Sequence, residues 1–64
     1  MNIIGNLDKW EFYKDSKEEW RWRRIASNGK IVGASTEGYK NKQNCINNAK
    51  RNGYKEEYET KFLD

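Results

Sequence analysis

Apolar and polar residues alternate with a period of two along three stretches of the chain. Trp10 and Phe12 oppose Glu11 and Tyr13 in residues 10–14. Trp20, Trp22, Arg24 and Ala26 oppose Arg21, Arg23 and Ile25 in residues 19–26. Tyr54, Tyr58, Thr60 and Phe62 oppose Lys55, Glu57, Glu59 and Lys61 in residues 54–63. Successive side chains of a strand point to opposite faces, so each stretch predicts a half-buried strand. A further strand is expected over residues 31–36, where Gly33 suggests a bulge or the close approach of another element. The polar run Asp15-Ser16-Lys17-Glu18 predicts the first turn. Asn28-Gly29 predicts a tight hairpin, because both residues tolerate positive φ.

The period changes after Tyr39. Asn41 can cap a helix, Tyr39 stands where a hydrophobic staple could begin, and Cys45, Ile46 and Ala49 share one helical stripe. Lys50 and Arg51 suit the negative end of a helix, and Gly53 suits its C-terminal cap. Asn41, Asn44, Asn47, Asn48 and Asn52 are poor helix formers, so packing must hold this helix. The predicted order is β-β-β-α-β: an α+β fold with one helix packed on an antiparallel sheet. Residues 1–8 read as a lead-in, anchored by Ile3, Ile4 and Leu7, and residues 9–64 as one domain.

Composition narrows this picture. A domain of 64 residues buries only about 60% of the surface its unfolded chain exposes. Disulfides, a metal or association usually make up the deficit. A single cysteine, Cys45, forms no intrachain bridge, and with no histidine it builds no zinc site. Association with another chain is the remaining route. Three Trp, four Tyr and two Phe supply large buried areas in place of a bigger aliphatic core. No apolar run approaches the ~20 residues needed to cross a bilayer. The N-terminus is too short and polar for a signal peptide, and an unpaired thiol suits a reducing compartment, so the cytoplasm is the expected location.

Charge is unevenly placed. Residues 20–55 hold nine Lys/Arg and one acid, Glu37, whereas the flanks hold four Lys and nine acids. This arrangement has two readings. One is a cationic face for nucleic acid, with Arg21, Arg23, Arg24, Lys40 and Lys42 on phosphates and the tryptophans stacked on bases. The other is plain strand alternation, with Trp20 and Trp22 in the core and the arginines paired to acids once the flanks fold beside the middle. The direction of the two indoles separates these readings.

Cys45 lies on the apolar helical stripe, so a buried inert thiol is expected rather than a redox centre. The glycines match no phosphate-binding pattern. His-based triads and Cys–His pairs are excluded, and no spacing supports a lysine or carboxylate mechanism. The chain is therefore read as non-enzymatic and without a cofactor.

The runs Trp10-Glu11-Phe12-Tyr13-Lys14-Asp15, Glu19-Trp20-Arg21-Trp22-Arg23 and Ala26-Ser27-Asn28-Gly29-Lys30-Ile31-Val32 resemble the YegP-like proteins. So do Ser35, Glu37-Gly38-Tyr39 and Lys42. The likeness covers roughly residues 10–53. These are small, mostly bacterial proteins to which no activity, cofactor or catalytic residue is attached. The resemblance implies a β(3)-α-β unit that pairs with a second unit into one sheet and exchanges C-terminal strands. For this chain it implies a homodimer, with Tyr54, Tyr58, Thr60 and Phe62 at the interface. The family pattern carries an aliphatic residue in place of Arg24 and a polar one in place of Ile25. A local bulge, or an edge position with the Arg24 stem buried, would accommodate that departure.

Overall fold

The first two alternating runs form the strands they predict, and the third does so only over its last four residues. A computed structural model describes residues 8–63. It contains β1 (Lys9–Lys14), β2 (Trp20–Ile25), β3 (Ile31–Ala34), α1 (Lys42–Arg51) and β4 (Thr60–Leu63). The anchoring expected of Ile3, Ile4 and Leu7 falls outside the described residues.

β1 and β2 pair antiparallel with Phe12 opposite Trp22 and Trp10 opposite Arg24, which puts the aromatic positions of both strands on one face. α1 covers that face. The core is Trp10, Phe12, Trp20, Trp22, Cys45, Ala49 and Tyr54, with Tyr39, Ile46 and Tyr58 packed against it. Its rings meet at tilted and edge-on angles, with Trp10 and Trp22 centroids 5.1 Å apart and Phe12 and Tyr54 centroids 5.2 Å apart. These geometries avoid face-to-face repulsion between ring quadrupoles. The Trp22 indole N–H donates to Asn48 Oδ1 at 2.8 Å. A helix asparagine thereby satisfies the one polar atom that this tryptophan takes into the core.

Both hairpins close the same way. Glu18 N–H donates to the Asp15 carbonyl and Asp15 N–H to the Glu19 carbonyl; Gly29 and Ala26 make the equivalent bonds with Ala26 and Lys30. The third loop residue has positive φ in each, Glu18 at 62° and Gly29 at 89°. These are three-residue loops ending in a left-handed residue, not the two-residue turn that Asn-Gly suggests, and Asn28 keeps negative φ. Its side-chain oxygen instead accepts from Lys30 N–H at 3.0 Å. Glycine suits that left-handed position and glutamate does not. Glu18→Gly should therefore stabilise the chain by about 0.5–1 kcal/mol, the cost of a left-handed side chain less the entropy of an added glycine. A melting temperature raised by a few degrees checks this.

Asn41 caps α1, its side chain accepting from Asn44 N–H at 3.1 Å. At the other end Tyr54 N–H donates to the Ala49 carbonyl and Gly53 N–H to Lys50. With Gly53 at φ 104° this is a Schellman closure. It explains one departure from expectation. Tyr54 is spent on the helix cap and the core, a turn links Tyr58 N–H to the Lys55 carbonyl, and β4 shrinks to four residues.

The sheet runs β3-β2-β1-β4. β4 lies parallel to β1, with Trp10 opposite Thr60 and Phe12 opposite Phe62. The sheet is therefore mixed and not wholly antiparallel, because α1 carries the chain back to the starting end of β1 before β4 begins. Within this chain β4 pairs with its own β1. At the other edge the register slips between Arg24 and Ile25, which face Gly33 and Ile31. The extra residue is Val32 on β3. The bulge that Gly33 suggests is present on β3, and it is there, not on β2, that the irregularity beside Arg24 is accommodated. A side chain at Gly33 would meet only ordinary contacts at 3.7 and 3.8 Å, so the bulge, and not a close approach, is what accompanies this glycine.

Candidate interaction surfaces

Trp20 and Trp22 are 6% and 4% exposed. Indoles that fill the core cannot stack on bases, so the strand-alternation reading of residues 20–24 holds. The β2 arginines end beside acids supplied by the N-terminal flank. Arg21 Nε donates to Asp15 Oδ2 at 2.6 Å, Arg23 to Glu11 Oε1 at 2.7 Å and Arg24 to Asp8 Oδ2 at 2.6 Å. Arg23 also lies over the Tyr13 ring and Arg24 over Trp10, so the Arg24 stem runs along the core while its head reaches Asp8. The bond from Arg21, then that from Glu19 N–H, holds the Asp15 carboxyl below its ordinary value. That contribution is present above the unfolded carboxylate range and disappears as pH falls through the lowered value.

Glu11 is the feature that alternation misses. It sits on the sheet face opposite α1, yet is only 8% exposed. Arg23 and Lys9 lie beside it, the latter at 3.8 Å, and Lys61 is its register partner on β4. The signal was the excess of acids in the flanks, which required cationic neighbours from the middle of the chain. Of the five cations expected to face nucleic acid, Arg21, Arg23 and Arg24 are thus occupied by acids. Lys40 and Lys42 remain exposed at the start of α1, Lys42 resting over the Trp20 and Phe62 rings.

The four residues expected at a dimer interface separate into two groups. Tyr54 is buried in the core, and its hydroxyl lies 3.0 Å from Thr60 Oγ1. Tyr58 and Thr60 are half-buried. Phe62 stacks on Phe12 at 5.2 Å but is 46% exposed. The other edge also exposes apolar surface, with Ile31 at 60% and Val32 at 57%.

Cys45 is fully buried, and desolvation pushes its thiol up to about 11, which keeps it protonated and unreactive at neutral pH. A concavity of about 280 Å³ at one end of the sheet is lined by Lys9, Ile25, Ala26, Ser27, Gly29 and Glu59. It offers one hydroxyl and no histidine or thiol to activate it. Among the described residues no group of three or more His, Cys, Asp or Glu could hold a metal ion. No described helix is long and apolar enough to cross a membrane.

Comparison with known proteins agrees with the motif resemblance. The model of a domain of unknown function, DUF1508, matches residues 15–59, more than two thirds of the chain. A UPF0339 protein of Neisseria meningitidis serogroup B is 57% identical over 35 residues. A UPF0339 protein of serogroup A is identical to the same extent. Each match covers 55% of this chain and 61% of the relative's length. No solved structure matches the chain. The matched segment runs from the first hairpin through the helix to the turn before β4, so the chain belongs to the DUF1508 family, the YegP-like proteins whose strand and turn motifs it carries.

Proposed function

We propose that the chain is a homodimeric structural or interaction module without catalytic activity, in which two copies exchange β4. The observation that carries this reading is the attachment of β4. The strand is four residues long, forms a sheet edge, and leaves the Phe62 ring nearly half exposed. It joins the helix through residues 52–59, in which Tyr54 is tied to the helix end and the core and the stretch beyond it is held by one turn, Tyr58 N–H to the Lys55 carbonyl. Opening that turn would let β4 reach the β1 of another copy. Trp10 would still face Thr60 and Phe12 would still face Phe62, so exchange sacrifices no strand pairing. The gain is a second copy's apolar surface over Phe62, which a chain this small needs. The reading assigns the protein to the cytoplasm, where its unpaired thiol stays reduced.

Light scattering on the full chain tests the proposal. A mass of twice 7.7 kDa and a melting temperature that rises with protein concentration are expected. A single-chain mass with a concentration-independent melting temperature would overturn it.

A further inference from the structure

With the β2 arginines held by Asp8, Glu11 and Asp15, the free positive charge of this protein lies elsewhere. Residues 39–55 contain Lys40, Lys42, Lys50, Arg51 and Lys55 and no acid at all. The first turn of α1 has no acidic residue, so nothing offsets the positive end of the helix dipole there. Lys40, Lys42, Lys50 and Arg51 are all exposed. Lys42 lies over two aromatic rings and beside no described acid. Lys50 meets Glu56 at 3.1 Å in an exposed pair, which solvent and salt screen. Between these cations the helix presents Gln43, Asn44 and Asn47, exposed amides that can donate hydrogen bonds.

We infer that the outer face of α1 is a docking surface for the phosphate backbone of duplex nucleic acid. Charge complementarity selects a polyanion, and the buried indoles remove the stacking platform that single strands require. Lys42 turns toward the sheet, over Trp20 and Phe62, so the outer contacts fall to Lys40, just before the helix, and to Lys50 and Arg51 at its end. The ten-residue helix between them spans about 13 Å at 1.5 Å per residue, close to the ~12 Å width of a major groove, so the two groups can rest on phosphates of one duplex. The contacts assigned here are to phosphates, so binding is expected to be independent of sequence.

Anisotropy of a labelled random-sequence DNA duplex, titrated with the full chain at several salt concentrations, tests this. Three neutralised phosphates give a log–log salt slope of about −2.7, roughly a fortyfold loss of affinity between 50 and 200 mM salt. Lys40→Glu with Arg51→Glu should weaken binding about tenfold or more at low salt. Lys30→Glu with Lys61→Glu removes the same net charge away from α1 and should cost less than about threefold. A circular dichroism melt confirms that each variant is folded. Absence of binding at low salt overturns the inference, as does equal loss in both variants. Equal competition by polyglutamate also overturns it, since the partner would then be an acidic protein. Lys40 and Arg51 lie outside β4, and light scattering on each variant keeps these outcomes separate from the oligomeric state.

Discussion

Trp22→Ala should leave the chain without a cooperative thermal transition. Trp22 is buried between Trp10 and the helix, and its indole N–H holds Asn48. Truncating a buried Trp to Ala costs about 3–5 kcal/mol. A single core in a domain of this size rarely supplies more than about 3–5 kcal/mol in all. The substitution therefore consumes the whole stability, and it also frees α1, whose asparagine-rich sequence has little helicity of its own. Trp22→Phe separates the two contributions. It keeps most of the apolar contact, loses the hydrogen bond, and should cost about 1–3 kcal/mol. At about 4–8 °C per kcal/mol, that variant still melts cooperatively, at a lower temperature. An alanine variant that melted within a few degrees of the parent would refute the role given to this core.

Gly38→Ala should be the most damaging change outside the core. Gly38 precedes Tyr39, whose backbone exchanges hydrogen bonds with Trp20. A Cβ added at Gly38 would lie 2.7 Å from Glu19 Cβ and closer still to the Glu19 carboxylate. The carboxylate can swing away, but a Cβ is fixed to the backbone. One of the two segments must then move, and Tyr39 seals the end of the core. Forced overpacking of this kind costs about 1–3 kcal/mol. Gly33→Ala is the matched control, because its added carbon meets only ordinary contacts. Urea midpoints at unchanged slope give the comparison. A clear drop for Gly38→Ala and little change for Gly33→Ala are expected; equal shifts would contradict the close-approach argument.

Local periodicity made most of the fold legible. Trp10, Phe12, Trp20 and Trp22 fixed the buried face of β1 and β2, and Asn41 and Gly53 bracketed α1 within a residue. What failed to show was decided at a distance. Alternation continues from Tyr54 into β4, yet the Schellman closure claims Tyr54 and the turn at Lys55 claims the next residues. The same alternation fits a parallel or an antiparallel neighbour equally well, so the direction of β4 against β1 could not be read from it. The charge surface followed the same rule. The string Trp20-Arg21-Trp22-Arg23-Arg24 looked like the most cationic feature, but Asp8, Glu11 and Asp15 become its neighbours only once β1 lies beside β2. The acid-free helix, less conspicuous as a string, meets a single flank acid among the described residues, Glu56 beside Lys50 in an exposed pair.

The partnership of β4 can be read from one covalent bond. Tyr13 and Leu63 are register partners on β1 and β4, and neighbouring strands lie about 4.8 Å apart, within disulfide reach. Cys45 is buried and protonated, so it does not compete. After oxidation of the Tyr13→Cys/Leu63→Cys variant, a non-reducing gel should show a covalent pair near twice 7.7 kDa, because β4 of each copy lies on β1 of the other. A band at the single-chain mass with both new thiols consumed would mean that β4 stays on its own β1, and would contradict the exchange.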